Sequence, residues 1–487
     1  MPAVVLPVSL PSGPTVWDGV LWPASPDEVV LLQRKAHACG DLLLVQLAKE
    51  SALYLREQQA SSEYEFEWAC LLSEVYVDMK DYARSYELLA TAKSMVYWEE
   101  YDPVVCIRIL VAIDKLYNAE GHIVTGQGLH SFDQHLNVLY AETMKLLPKL
   151  QSLWEGVDRG SVDKNAACQL FSMCMSLYRS LSWLGGKAVE ARDLLVSQIE
   201  RGLNVLICND WDECSNFSAR YEVEVRYKRS QQIDIYSLGR SLEDMVRPEN
   251  SASLSTVFLV YQALALLSND YEQYDEAIRY TEKSAAIMQS VGLAYSSIEP
   301  IFDCADYVTY AGYYDAALSF LISLEESIRP HSYMSGVALD IRRRFVYVVA
   351  AYFDMEKVEE GDEYSPLTVG KYAQRAYDWA LECAQEYESR DEVWEQSEVL
   401  AGAARACQWM KKYFQSVTVR YQIAEILTEG DEDGDYKEDI QLHLNEAIAD
   451  LSQCGTCAAV DAPGDVEVRA LRSKILALAE RVESRAL

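Results

Sequence analysis

Gln273-Tyr274-Asp275-Glu276-Ala277-Ile278, with Tyr280 and Ser284 following, is the stretch on which the reading of the fold turns. Forty residues later Gly312-Tyr313-Tyr314-Asp315-Ala316-Ala317-Leu318 repeats it, followed by Leu321 and Leu324. An earlier copy is Lys80-Asp81-Tyr82-Ala83-Arg84-Ser85, followed by Leu89 and Ala92. Lys371-Tyr372-Ala373-Gln374-Arg375-Ala376 and Lys412-Tyr413-Phe414 come later, 41 residues apart. In the clearest copies an aromatic residue opens a helical stretch and a small residue sits three positions on. The pairs are Tyr82 with Ser85, Tyr274 with Ala277, Tyr314 with Ala317 and Tyr413 with Ser416.

Outward from these copies, apolar residues recur at three- and four-residue spacing through 27–57, 63–97, 102–117, 132–150, 163–185 and 188–206, then again from about 253. Breaks fall at Gly40-Asp41, Lys80-Asp81, Asp102-Pro103 and Gly185-Gly186. The expected class is all-α, in four parts. Residues 1–25 form a proline-rich extended arm carrying Trp17 and Trp22. Residues 26–206 are N-terminal helical repeats, 207–250 an insertion, and 251–487 C-terminal repeats of about 40 residues. Within the insertion Ala219, Tyr221, Val223, Val225 and Tyr227 alternate with polar residues, as do Ile233 and Ile235. That period of two reads either as a small β-hairpin over 219–236 or as an irregular linker with short extended pieces. Glu356–Glu363 and Glu429–Asp439 are dense in carboxylates and read as solvated loops.

Composition narrows the function. Among 487 residues, 43 Lys and Arg face 76 Asp and Glu, a formal charge of −33. Such a field repels phosphate backbones and anionic lipid heads, so neither nucleic acid nor membrane is an expected partner, and basic protein segments are. Pro 13 and Gly 22 are few for an all-β chain. The 12 cysteines lie scattered, several in apolar helical stretches, as buried thiols of a reducing compartment do. Met1–Pro14 lacks a basic leader, and the clean apolar run Phe345–Phe353 is about half a membrane span. A cytoplasmic or nuclear protein is expected.

The aromatic–small segments resemble the second helix of the tetratricopeptide repeat, in which the ring plugs the corner between two helices and the small residue lets them approach closely. The family's small residue on the first helix matches Ser73, Ala265, Ala305 and Ala404. The resemblance covers four or five units and is weak over 102–206; the C-terminal spacing of 40–41 exceeds the family's 34 or so. It implies a right-handed superhelical solenoid of about nine antiparallel helix pairs, each burying its apolar face against the next. It also implies a non-enzymatic scaffold or adaptor in a multiprotein assembly, similar to the tetratricopeptide subunits of the anaphase-promoting complex. The alternatives are a peptide-binding regulator or cargo adaptor of the kinesin-light-chain kind, and an enzyme regulator with an unrecognised site.

Some members of that family grip a carboxylate with Lys and Asn on the inner helices. Glu67, Cys70, Leu71 and Glu74 stand at those positions in the first clear unit, and Leu259, Gln262, Ala263 and Leu266 in a later one. Glu299, Phe302, Asp303 and Asp306 occupy them in the next. No cationic clamp exists there. Three acids around an aromatic ring suit a basic, partly apolar segment instead, and these four are the expected partner-binding residues. No cofactor, metal or catalytic residue is expected. Cys454-Gly455-Thr456-Cys457 lacks a second pair for zinc, and His122, His130, His135 and Asp133 match no metal spacing. Asp431, Asp433 and Asp435 open like a calcium loop, but Tyr436 replaces its glycine and Leu442 its closing Glu. Gly126-Gln127-Gly128 lacks the strand of a nucleotide loop. Arg342-Arg343-Arg344 and Arg226, Lys228 and Arg229 are the densest basic runs, read as solvated or paired, or as a dock for an acidic segment.

Overall fold

The computed structural model describes residues 22–95, 132–158, 164–181, 188–208, 214–226, 235–246, 253–293, 298–331, 334–355, 366–390, 392–430, 436–454 and 465–485, with Ser296 and a few positions in 111–116. Every regular element among them is helical, and none is a strand. The chain forms two compact units that divide after Tyr307.

The N-terminal unit begins with two hairpins, α1 (Pro26–Cys39) with α2 (Leu42–Leu55), and α3 (Glu65–Asp78) with α4 (Tyr82–Met95). Then come α5 (Phe132–Asp158), α6 (Lys164–Leu181), α7 (Ala188–Cys208) and α8 (Cys214–Arg220), which runs on as a π-helical turn over Tyr221–Arg226. After α9 (Ile235–Met245) a further hairpin joins α10 (Leu254–Asp270) to α11 (Tyr274–Ser290), and α12 (Ile298–Tyr310) carries the boundary between units. The C-terminal unit continues with α13 (Tyr314–Ile328), α14 (Ser335–Met355), α15 (Pro366–Ser389), α16 (Val393–Trp409), α17 (Tyr413–Gly430), α18 (Lys437–Cys454) and α19 (Asp465–Arg485).

One helix-to-helix corner recurs five times among the described residues; Gly292, at φ 82°, ends α11 with the same bonding, but no helix follows it at once. Gly40, Lys80, Glu272, Gly312 and Lys411 sit in the left-handed region, at φ 61°, 60°, 58°, 81° and 57°. The next residue's N–H donates to the carbonyl five positions back: Asp41 to Ala36 at 3.0 Å, Asp81 to Tyr76 at 2.8 Å, Gln273 to Ser268 at 2.8 Å, Tyr313 to Val308 at 3.0 Å and Lys412 to Cys407 at 2.8 Å. This Schellman bonding satisfies carbonyls that the end of a helix otherwise strands. A new helix starts at the following residue, which is Leu42, Tyr82, Tyr274, Tyr314 or Tyr413. The repeated aromatic is therefore the first residue after the corner. Tyr82 is buried, and Tyr274, Tyr314 and Tyr413 are half-buried. The small positions are buried as well: Ser85, Ala277, Ala317 and Ser416 on the second helix, and Ser73, Ala265, Ala305 and Ala404 on the first. In the first of these copies the Ser73 and Ser85 hydroxyls meet at 2.8 Å, which only short side chains on two closely packed helices allow.

Two sequence expectations need correction. Residues 219–226 are helical rather than part of a β-hairpin, and 227–234 lie outside the described residues. Phe217, Tyr221 and Val225 are spaced by four and turn to the core, where Phe217 and Val225 are fully buried. Arg220 pairs with Glu224 at 2.9 Å and Arg226 with Glu222 at 2.7 Å, both at helical spacing. Tyr372 does not open a helix either; it is buried within α15, which Pro366 starts.

The two units are built differently. In the C-terminal unit each helix packs on the next or next but one, as a stacked array does. In the N-terminal unit the first hairpin is a hub: α1 packs on α6, and α2 on both α3 and α10. The Asn216 side chain donates to the Cys39 carbonyl at 3.1 Å, and the Leu42 N–H donates to Ser255 Oγ at 2.9 Å. Trp154, Phe171 and Phe217 form an edge-to-face series in this unit's core, with ring centroids 6.0 and 5.1 Å apart. Trp22, near the end of the arm, packs beside α1 and α2 with its ring 5.9 Å from Tyr54; residues 1–21 of the arm lie outside the described residues.

Candidate functional site

The expected partner-binding residues lie on α12. Glu299, Asp303 and Asp306, at i, i+4 and i+7, fall along one side of that helix. Glu299 is exposed, and Asp303 and Asp306 are half-buried. Phe302 is 7% exposed, its ring packed into the repeat. Burial is the reason: an aromatic between two helices lowers the free energy more by leaving water than by waiting for a partner. The surface at this place is thus an acidic stripe without an open ring.

The start of α12 is tied to α2. Glu50, wholly buried in α2, accepts from the Ser296 N–H at 2.9 Å and from its hydroxyl at 3.2 Å. Near the stripe, Lys49 pairs with Glu74 at 3.3 Å and Asp78 at 3.4 Å, and Lys115 also pairs with Asp78. Burial alone would push the Lys49 ammonium down; Asp78, Glu74 and, more weakly, Glu299 overcome it and hold Lys49 charged well above its ordinary range. Asp78 likewise resists its burial and stays below the usual carboxylate range, because Lys115 and Lys49 face it. Glu67, at another inner position of the first clear unit, accepts from Arg34 Nε at 3.0 Å. Glu67, Glu74 and Asp78 of α3 are thereby used internally. Behind the stripe, burial with Glu282 and Asp303 pushes the Cys304 thiol up to about 12, so it stays protonated and is no nucleophile.

A hydroxyl–imidazole contact that the sequence did not signal joins α1 to α6: His37 Nδ1 lies 3.2 Å from Ser172 Oγ, which also accepts from Arg220 at 2.7 Å. Ser172 is fully buried, so the trio fastens helices and offers no substrate a path. Nothing in the linear order marks it, since 135 residues separate the two side chains. Among the described residues no group of three His, Cys, Asp or Glu is placed to hold a metal ion. Cys454 ends α18 with its thiol 3.5 Å from the Asp450 carbonyl. Cys457, His122, His130, the side chains of His135 and Asp133, Gly126 to Gly128, Asp431, Asp433 and Asp435 lie outside the described residues. Among the described residues no helix is long and apolar enough to cross a membrane.

The basic run divides among different neighbours. Arg342 reaches Glu325 at 2.7 Å and Glu382 at 2.8 Å, while Arg343 and Arg344 pair with Asp340 at 3.6 and 3.4 Å.

No protein-family model matches the chain, and no curated protein matches it. Among solved structures, a circular tandem repeat protein with novel repeat topology is similar over 95% of this chain and 96% of its own, at 13% identity and a TM-score of 0.21. The APC/C hetero-tetramer Cut9-Hcn1 is similar over 94% of this chain and 96% of its own, at 14% identity and a TM-score of 0.20. What places this chain among helical-hairpin repeat proteins is its own geometry: five left-handed corners, each followed at once by a new helix.

Proposed function

We propose that this chain is a non-enzymatic scaffold or adaptor of a multiprotein intracellular assembly, and that the acidic stripe of α12 receives a basic, partly apolar segment of a partner. The observation that carries this reading is the alignment of Glu299, Asp303 and Asp306 along one side of a helix whose start is fastened by buried Glu50. A pre-placed row of carboxylates costs little to order on binding and pairs with Lys or Arg spaced along a peptide. Apolar residues of the partner would bury against the helices flanking the stripe. The field of a chain at −33 steers basic segments toward it and disfavours nucleic acid. In this reading the helix pairs of each unit stack with the right-handed superhelical sense of tetratricopeptide repeats. The role is then comparable to that of a repeat subunit in a hetero-oligomer such as the APC/C hetero-tetramer.

The test is Asp303→Lys with Asp306→Lys in the full chain, with binding measured to the proteins that co-purify with the parent. The reading predicts loss of a basic partner and, in the parent, weaker binding as salt rises, because exposed charges are screened over about 8 Å at physiological ionic strength. Equal affinity in the folded double variant, without salt dependence in the parent, removes the stripe from the account.

A further inference from the structure

A cavity of about 570 Å³ opens between α13, α14 and α15, and its walls carry Arg329, Arg342, Lys371 and Arg375. Four cations around one opening are unexpected in a chain at −33. Two of them are already neutralised. Glu325, with no exposed side-chain surface, accepts from Arg342 Nη2 at 2.7 Å and from Arg329 Nε at 3.1 Å. Burial would push Glu325 up, but the two guanidinium groups outweigh it and hold the carboxyl below its ordinary range. Arg342 also reaches Glu382 at 2.8 Å. Glu325 therefore braces one wall of the opening.

The other two cations are not neutralised. Neither Lys371 nor Arg375 has a carboxylate within ion-pair distance among the described residues. They sit one turn apart on α15, a spacing at which like charges repel. Each is held by an aromatic ring instead: the Lys371 ammonium lies 4.5 Å from the Tyr372 ring centre, and the Arg375 guanidinium 5.4 Å from that of Trp379. A third cation stands alongside, where Lys412 donates to Gln374 Oε1 at 3.0 Å. Gln374 in turn donates to Asp378 Oδ1 at 2.9 Å. Lys371 is exposed and Arg375 half-buried, so the two cations are pre-placed at the mouth of the opening and mutually repelling, an arrangement that an anion relieves.

We infer that this cavity is a docking site for an acidic peptide segment, whose Asp or Glu side chains pair with Lys371 and Arg375. A peptide fits better than a compact anion. Asp378 and Glu382 line the same opening and would repel a phosphate seated at its centre. An extended chain can instead place its carboxylates toward Lys371 and Arg375 and turn its backbone N–H groups to Asp378 and to the Gln374 carbonyl. Trp379 is buried beneath Arg375, so no open ring face invites a nucleobase. This site is built from other residues than the α12 stripe, takes the opposite charge and does not depend on that reading.

The experiment uses the full chain and a fluorescein-labelled dodecamer of alternating Glu and Gly, followed by fluorescence anisotropy. The expected result is saturable binding that weakens as salt rises. It should weaken about tenfold or more with Lys371→Glu and Arg375→Glu together, and remain unchanged with Asp303→Lys and Asp306→Lys. If the charge-reversed protein loses helical signal, Lys371→Gln with Arg375→Gln replaces it, with a smaller loss expected in the same direction. Absence of saturable binding by the parent, equal binding by the α15 variants, or displacement of the peptide by inorganic phosphate at equal concentration would each overturn the inference.

Discussion

Replacing Gly402 by Ala tests the close packing of the C-terminal unit, because general propensity and local geometry give opposite signs there. In an unconstrained helix interior the change stabilises by about 1 kcal/mol. Here a Cβ built on Gly402 would stand inside 3.0 Å of Val346 Cγ1, where carbon atoms settle at about 3.5–4.0 Å. Val346 is 1% exposed within α14, and a β-branched side chain in a helix has essentially one accessible χ1 well, so it cannot swing aside cheaply. Helices α14 and α16 must separate instead. Overpacking of this kind costs about 1–3 kcal/mol, and so tight a contact belongs at the upper end, which leaves a net loss of roughly 2 kcal/mol. Val346→Ala removes the obstructing methyls. In that background Gly402→Ala fills space and should be neutral or stabilising, giving a coupling of at least about 2 kcal/mol across the cycle. The assay is denaturant-dependent hydrogen exchange of the full chain, resolved to peptides of α14 and α16. A stabilising Gly402→Ala in the parent, or an equal cost in both backgrounds, would refute the packing described.

Three further predictions follow from the corners and the buried groups. Lys411→Gly should raise stability by about 0.5–1 kcal/mol, because a non-glycine residue at φ 57° carries a left-handed penalty that exceeds glycine's entropic cost; thermal unfolding measures it, and a loss would mean the corner is not left-handed. Tyr314→Ala should cost roughly 2–4 kcal/mol, since the ring packs 5.4 Å from that of Tyr352 at a corner; an unchanged melting temperature contradicts the register. Burial, with the positive charges of Arg420 and Arg405 outweighing Asp439, holds His443 at about 4 in the folded chain. The unfolded chain therefore binds more protons between pH 6.5 and 4. Stability should fall through that window by up to about 3 kcal/mol, and His443→Gln should flatten the fall in urea titrations across pH.

The corners were legible because each is a local event. An aromatic residue with a small one three later declares a helix start and a close approach within a few residues, and Tyr82, Tyr274, Tyr314 and Tyr413 all open helices. The 219–226 segment misled because Tyr221, Val223 and Val225 alternate in a period of two while Phe217, Tyr221 and Val225 also fall four apart. The deciding signal was the charge spacing, with Arg220 four before Glu224 and Glu222 four before Arg226. The acids of α12 were placed by register, but whether Phe302 faced water depended on helices distant in sequence. The cavity at Lys371 and Arg375 was visible only through the basic run at Arg342, read as solvated, paired or a dock for an acidic segment, because its walls come from three helices spanning more than 50 residues.

The measurement closest to the central claim is affinity purification of the full chain from native cells, with cross-linking mass spectrometry and quantitation of the recovered proteins. The account predicts a hetero-oligomer of fixed stoichiometry, with cross-links from a Lys-rich partner segment to residues flanking Glu299, Asp303 and Asp306. Those links should disappear, with the helical signal intact, when Asp303 and Asp306 are reversed to Lys. Recovery of the chain only as a monomer, or partners whose cross-links are unchanged by the reversal, would contradict it.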